Sequence, residues 1–157
     1  MNFPRPLPWL ILPVALTAGQ APLQGGGSLT LGHAAYRFVP NDLSLAEPKG
    51  GLPGAVRIRG ELVPEAGGAA YALELVVLRN GRLYLLSIRR GQGSQYPDTW
   101  AATLDTRVKL LALEDHPGGR IELECEGRLT GVVDRRPVSG SWQGRLWAIF
   151  PEPEGED

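Results

Sequence analysis

Between Arg120 and Thr130 polar and apolar residues alternate without a break. Ile121, Leu123, Cys125 and Leu129 fall on one side of an extended chain, and Glu122, Glu124, Glu126 and Arg128 on the other. A period of two belongs to a β-strand with one wet and one dry face. A helix threaded through the same residues would scatter both sets around its circumference. The segment therefore sets the phase of the strands beside it and places the only cysteine on the dry side.

The flanking turns fix two registers. If Asp115-His116-Pro117-Gly118 closes a hairpin, Leu110 faces Leu123 and Val108 faces Cys125. On the wet side Lys109 then faces Glu124 and Arg107 faces Glu126. A slip of one residue would turn these charges into the core. If Asp134-Arg135-Arg136-Pro137 closes the next hairpin, Leu129 faces Trp142, Cys125 faces Leu146 and Ile121 faces Phe150. Gly127 then falls opposite Gly144, and Gly131 opposite Gly140, all pointing inward. Inward glycines suit a sheet that coils sharply or must admit a large ring such as Trp142.

Upstream, Asn80-Gly81 between two apolar runs predicts a two-residue type I′ hairpin. That register pairs Leu78 with Leu83, Val77 with Tyr84, Leu75 with Leu86 and Leu73 with Ile88. Tyr71 and Tyr84 then join the core face, and Val76, Leu78, Leu83 and Leu85 form an apolar outer patch that needs a cover. Leu29 to Phe38 alternates around a turn or bulge at Gly32, and Val56 to Leu62 forms another half-buried strand. Residues 40–53 read as a loop. Trp100, Ala102 and Leu104 begin a strand that continues through a bend at Asp105-Thr106 into Val108, Leu110 and Ala112.

No stretch has a helical period. The fold class is therefore all-β, an antiparallel meander of seven or eight strands forming a small barrel or a strongly coiled sandwich. With 157 residues, one domain with a proper core is expected. The divisions are a signal peptide over 1–21, a Gly-rich linker over 22–27, the β domain over 28–150 and an acidic disordered tail over 151–157. The signal reading rests on Arg5, the apolar run Trp9–Ala18 and small residues before a cleavage point after Ala21. Its run is shorter than the roughly 20 residues of a membrane span. Export to the periplasm, envelope or medium follows, with no stable membrane insertion after cleavage. The preference for Arg over Lys reads as the codon bias of a GC-rich bacterial genome.

The chemistry is sparse. A net charge of −1 supplies no field to recruit nucleic acid. His33 and His116 are isolated, so no metal site and no cofactor are expected. The single Cys125 predicts a buried, inert thiol. The glutamates of 122–126 resemble a catalytic acid row only superficially, because Lys109 faces Glu124, and Arg107 and Arg145 flank Glu126. Opposite charges hold carboxylates ionised. The remaining candidates are aromatic anchors for a partner or a small apolar ligand: Tyr71, Tyr84 and Trp100 near one end of the interior, Tyr96 in the loop before Trp100, and Trp147 on the outer face unless residues 29–38 cover it. The expected function is a non-catalytic exported binding domain. The alternatives are a secreted hydrolase and a structural subunit assembling through the outer patch.

Overall fold

The computed structural model describes residues 23–47, 50, 53–91 and 93–155. The expected signal peptide lies outside them. Nine strands are described: β1 (Gly25–Leu31), β2 (Ala34–Ala46), β3 (Ala55–Pro64), β4 (Tyr71–Leu78), β5 (Leu83–Arg90), β6 (Asp98–Ala102), β7 (Arg107–Leu113), β8 (Arg120–Val133) and β9 (Arg136–Ile149). Each neighbour in the meander is antiparallel, and β1 returns to pair with β9. β6 pairs with the C-terminal half of β8, which closes eight strands into a small barrel. β7 takes the N-terminal half of the same β8 edge and stands outside the closed wall. Among the described residues no helix is long and apolar enough to cross a membrane.

The interior is packed with side chains. One cluster runs through every barrel strand but β6 and includes Phe38, Ile58, Leu75, Ile88, Leu123 and Trp142, with Trp100 of β6 packed against it. Trp142 lies opposite Gly127, and its indole Nε1 donates to the Glu126 carbonyl at 2.9 Å. At Gly127, whose φ is 112°, the missing side chain makes room for the backbone of Asp105 and Thr106, which a Cβ would strike.

The register of β7 on β8 is the one the charges demand: Leu110 with Leu123, Lys109 with Glu124, Val108 with Cys125 and Arg107 with Glu126. The β8–β9 register differs from expectation by two residues, with Val133 opposite Arg136, Leu129 opposite Gly140 and Gly127 opposite Trp142. Proline explains the shift. The expected turn would make Pro137 a hydrogen-bonding end residue, and proline has no N–H to donate. The hairpin instead turns at Asp134 and Arg135, whose φ of 52° and 64° give it the two positive-φ positions of a type I′ turn. A slip of two keeps every side chain on its expected face.

The type I′ turn expected at Asn80-Gly81 is absent. Only Gly81 has positive φ, at 87°. The Gly81 N–H bonds the Leu78 carbonyl, the Leu78 N–H bonds the Arg82 carbonyl, and Asn80 Oδ1 accepts from Arg82 N–H. The loop is therefore three residues long, a type I turn completed by a left-handed glycine. Leu83 moves opposite Val77, and a bulge at Tyr84 restores the expected pairing from Val76–Leu85 onward. Leu83 consequently packs against the core, while Tyr84 turns outward and is 64% exposed.

Two other boundaries move. β2 runs through Pro40 to Ala46 with a bulge between Pro40 and Asp42, so the expected loop begins later. Gly25–Gly27, expected as linker, form the start of β1 against Leu146–Ala148.

Candidate functional site

The chain order β5–β6–β7–β8 places one strand, β7, outside the wall. β6 is sewn to β5 on one edge and to β8 on the other. At Thr103–Thr106 the chain makes a tight turn: Thr106 N–H bonds the Thr103 carbonyl, and Thr103 N–H bonds Thr106 Oγ1 at 2.7 Å. Both hydroxyls donate to the Arg128 carbonyl, at 3.0 and 2.7 Å. Beyond this turn β7 pairs with β8 alone among the described residues. β5 from Leu83 to Leu86 is likewise paired only with β4 among them, and a slot lies between the β4–β5 turn and β7.

Hydrogen-bond alternation shows which groups meet the slot. A two-residue turn makes Val133–Arg136 a bonded pair, so odd-numbered residues of β8 direct their backbone groups to β9 and even-numbered ones to the opposite edge. The Arg128 carbonyl bonded by the two threonines and the Arg120 carbonyl bonded by Glu114 N–H agree with this phase. On β7, Arg107 and Lys109 therefore bond β8, and Val108 and Leu110 direct their N–H and C=O groups at the slot. Trp100 has the same phase on β6, but there its groups meet Ile88 of β5.

The slot holds a cleft of about 460 Å³ between the β4–β5 turn and β7. Val108, Leu110 and Leu83 pack from it against the core. Arg107, Lys109, Arg79 and Glu126 supply its charged margin, together with Asn80 and Gly81 of the turn. An ion pair between Arg79 and Asp115 ties the hairpin tip to the β7–β8 loop. Tyr84 and Leu85 of β5 are 64% and 40% exposed, and Leu104 projects fully into solvent from the turn. Among the described residues neither Arg107 nor Lys109 has a carboxylate within 4 Å; Arg145 takes Glu124 at 3.2 Å, and Arg120 takes Glu122 at 3.2 Å.

The sequence-derived anchors are dispersed. Tyr71 and Trp100 do lie toward one end of the barrel, where Tyr71 meets Tyr36 edge-on at 5.8 Å. The Arg90 guanidinium covers the Tyr71 ring at 4.4 Å and pairs with Asp98 at 2.6 Å. Asp98 also accepts the Asp134 N–H at 3.0 Å. That bond and the Arg90 bonds hold the Asp98 carboxyl below the usual carboxylate range, and burial pushes the Tyr36 hydroxyl upward. Trp100 Nε1 is buried there without a partner. These groups close the end of the barrel. Tyr96 lies beside it, exposed, with Arg135 stacked on its ring at 4.1 Å.

Tyr84 is not with them: the bulge turns it outward into solvent. Trp147 points outward as the alternation requires, half-buried beneath the Arg120 guanidinium at 4.4 Å and opposite Gly26 of β1. It is neither core nor a free anchor. Cys125 is buried, its thiol pushed up to about 12 by desolvation and then by Glu124. Among the described residues no group of three or more His, Cys, Asp or Glu is arranged to hold a metal.

The slot escaped sequence reasoning because Trp100–Leu104 and Val108–Ala112 share one phase. Only the polar pair Asp105-Thr106 marked the break. Comparisons with family models, curated proteins and solved structures match none to this chain.

Proposed function

We propose that this is an exported, non-catalytic interaction domain that binds a protein partner by adding an extended segment to the free edge of β7. The observation that carries the reading is the pair Val108 and Leu110, whose backbone groups face a slot floored by apolar side chains. An unpaired strand edge is a template for another strand, with backbone bonds giving affinity and alternate side chains giving selectivity. The filled interior favours this site over a ligand held inside the barrel. The small-ligand alternative has one observation in its favour, the unpartnered Trp100 Nε1 at the closed end. Export rests on the pattern of Arg5, Trp9–Ala18 and Ala21.

Titration of the full chain with short extended peptides, followed by amide NMR, tests the site. Shifts concentrated at Arg107–Leu110 and Asn80–Leu83 support edge addition. Shifts confined to Arg90, Tyr71 and Trp100 would assign binding to the closed end instead. Native mass spectrometry of the protein from its own host tests export, with a mature chain beginning at Pro22 as the expected result.

A further inference from the structure

The side chains beside the free edge restrict what can be added to it. Resting on the edge-addition reading above, we infer that the occupant is an extended acidic segment of another protein, in which glutamate or aspartate alternates with apolar residues. Residues added opposite Arg107 and Lys109 share the outer face with those cations, which lack a carboxylate partner within 4 Å among the described residues. Residues added opposite Val108 and Leu110 point inward, toward the apolar floor that includes Leu83. Cross-strand neighbours of opposite charge attract and like charges repel. The fitting pattern is therefore acidic outside and apolar inside.

The other edge of β7 already accepts such a strand. There β8 reads Leu123-Glu124-Cys125-Glu126, with the glutamates opposite Lys109 and Arg107 and the apolar pair opposite Leu110 and Val108. The new segment repeats that chemistry across the slot.

Two occupants from the chain itself fit poorly. Antiparallel pairing of two β7 edges sets Arg107 and Lys109 of one copy against the same cations of the other. The acidic tail carries Pro151 and Pro153, which cannot complete a ladder. It also leaves Phe150 at the β7–β8 loop, where the Phe150 N–H bonds the Gly119 carbonyl and the Gly118 N–H bonds the Phe150 carbonyl.

The test uses the full chain and three eight-residue peptides alternating valine with glutamate, threonine or lysine, at low and physiological salt. The glutamate peptide is expected to bind about tenfold more tightly than the lysine peptide at low salt, from two favourable cross-strand pairs exchanged for two unfavourable ones. The difference should narrow as salt rises. Arg107→Gln with Lys109→Gln, both on exposed positions, should abolish the preference while leaving Cys125 unlabelled by thiol reagents, which shows that the barrel is intact. Equal binding of the three peptides overturns the acidic inference and leaves edge addition standing. Binding of none overturns both. Concentration-dependent dimerisation through Arg107–Leu110 makes a second copy the occupant and likewise overturns the inference, as does protection of the Val108 and Leu110 amides by residues 1–22.

Discussion

β6 and β7 lie end to end on one edge of β8 and meet different fates. β6 is bonded on both sides, and its Asp98 is locked by Arg90 from β5 and by the Asp134 N–H from the β8–β9 turn. Among the described residues β7 is bonded on one side, and neither Arg107 nor Lys109 has a carboxylate within 4 Å. Four residues separate these outcomes. The Thr103–Thr106 turn donates its hydroxyls to Arg128 and redirects the chain, so β6 closes the barrel and β7 stands outside it. An edge left open in this way is where a partner can act without disturbing the core.

Substitutions should separate the two strands by size of effect. The largest is expected at Gly131, where an added Cβ would collide with the Thr99 carbonyl oxygen. Gly131→Val should drive β6 off β8 and cost about 3 kcal/mol in denaturant unfolding. Removing the charged lock comes next: Asp98→Ala should cost about 2 kcal/mol, since it deletes hydrogen bonds to a charged group. Because the folded Asp98 titrates below its unfolded counterpart, its contribution is full above the unfolded carboxylate range. It is lost as pH falls through the folded value. Asp98→Asn should therefore flatten the acid limb of the stability profile.

Smaller effects belong to the junction and to β7. Thr106→Val removes the Oγ1 bonds to Thr103 N–H and the Arg128 carbonyl and should cost about 1 kcal/mol. Its sharper readout is faster amide exchange at Thr103. Lys109→Ala, on an exposed edge, should change stability by less than about 0.5 kcal/mol. The same change should weaken the acidic peptide. A β7 substitution as costly as those in β6 would erase the distinction between the strands.

How much of this was legible in the sequence depends on what each segment had to satisfy. β7 on β8 could be placed from Arg107 to Leu110, because apolar and charged neighbours both vote on one register; a bulge after Leu110 then sets Ala112 opposite Glu122 and turns Leu113, not Ala112, to the core. The β8–β9 hairpin kept its faces but not its pairs, since alternation is blind to a slip of two and the missing N–H of Pro137 decided it. Asn80-Gly81 announced a hairpin, yet glycine alone at positive φ serves a three-residue loop equally well. The exposure of Tyr84 followed from that choice. The slot was hidden by phase: Leu104 and Val108 alternate in step, although the turn throws Leu104 into solvent and carries β7 outside the wall. The stacking of Arg120 on Trp147 and of Arg90 on Tyr71 joins residues distant in sequence, where no local pattern points.

Among the described residues the β7 edge is open where the β6 edge is closed. Amide hydrogen exchange on the full chain measures this directly, because Val108 and Leu110 on β7 hold the same phase as Trp100 on β6. Trp100 should be protected by its bond to β5, and the Val108 and Leu110 amides should exchange orders of magnitude faster in the unliganded protein. Equal protection at the three amides would mean that β7 is paired on both sides, and would contradict the account.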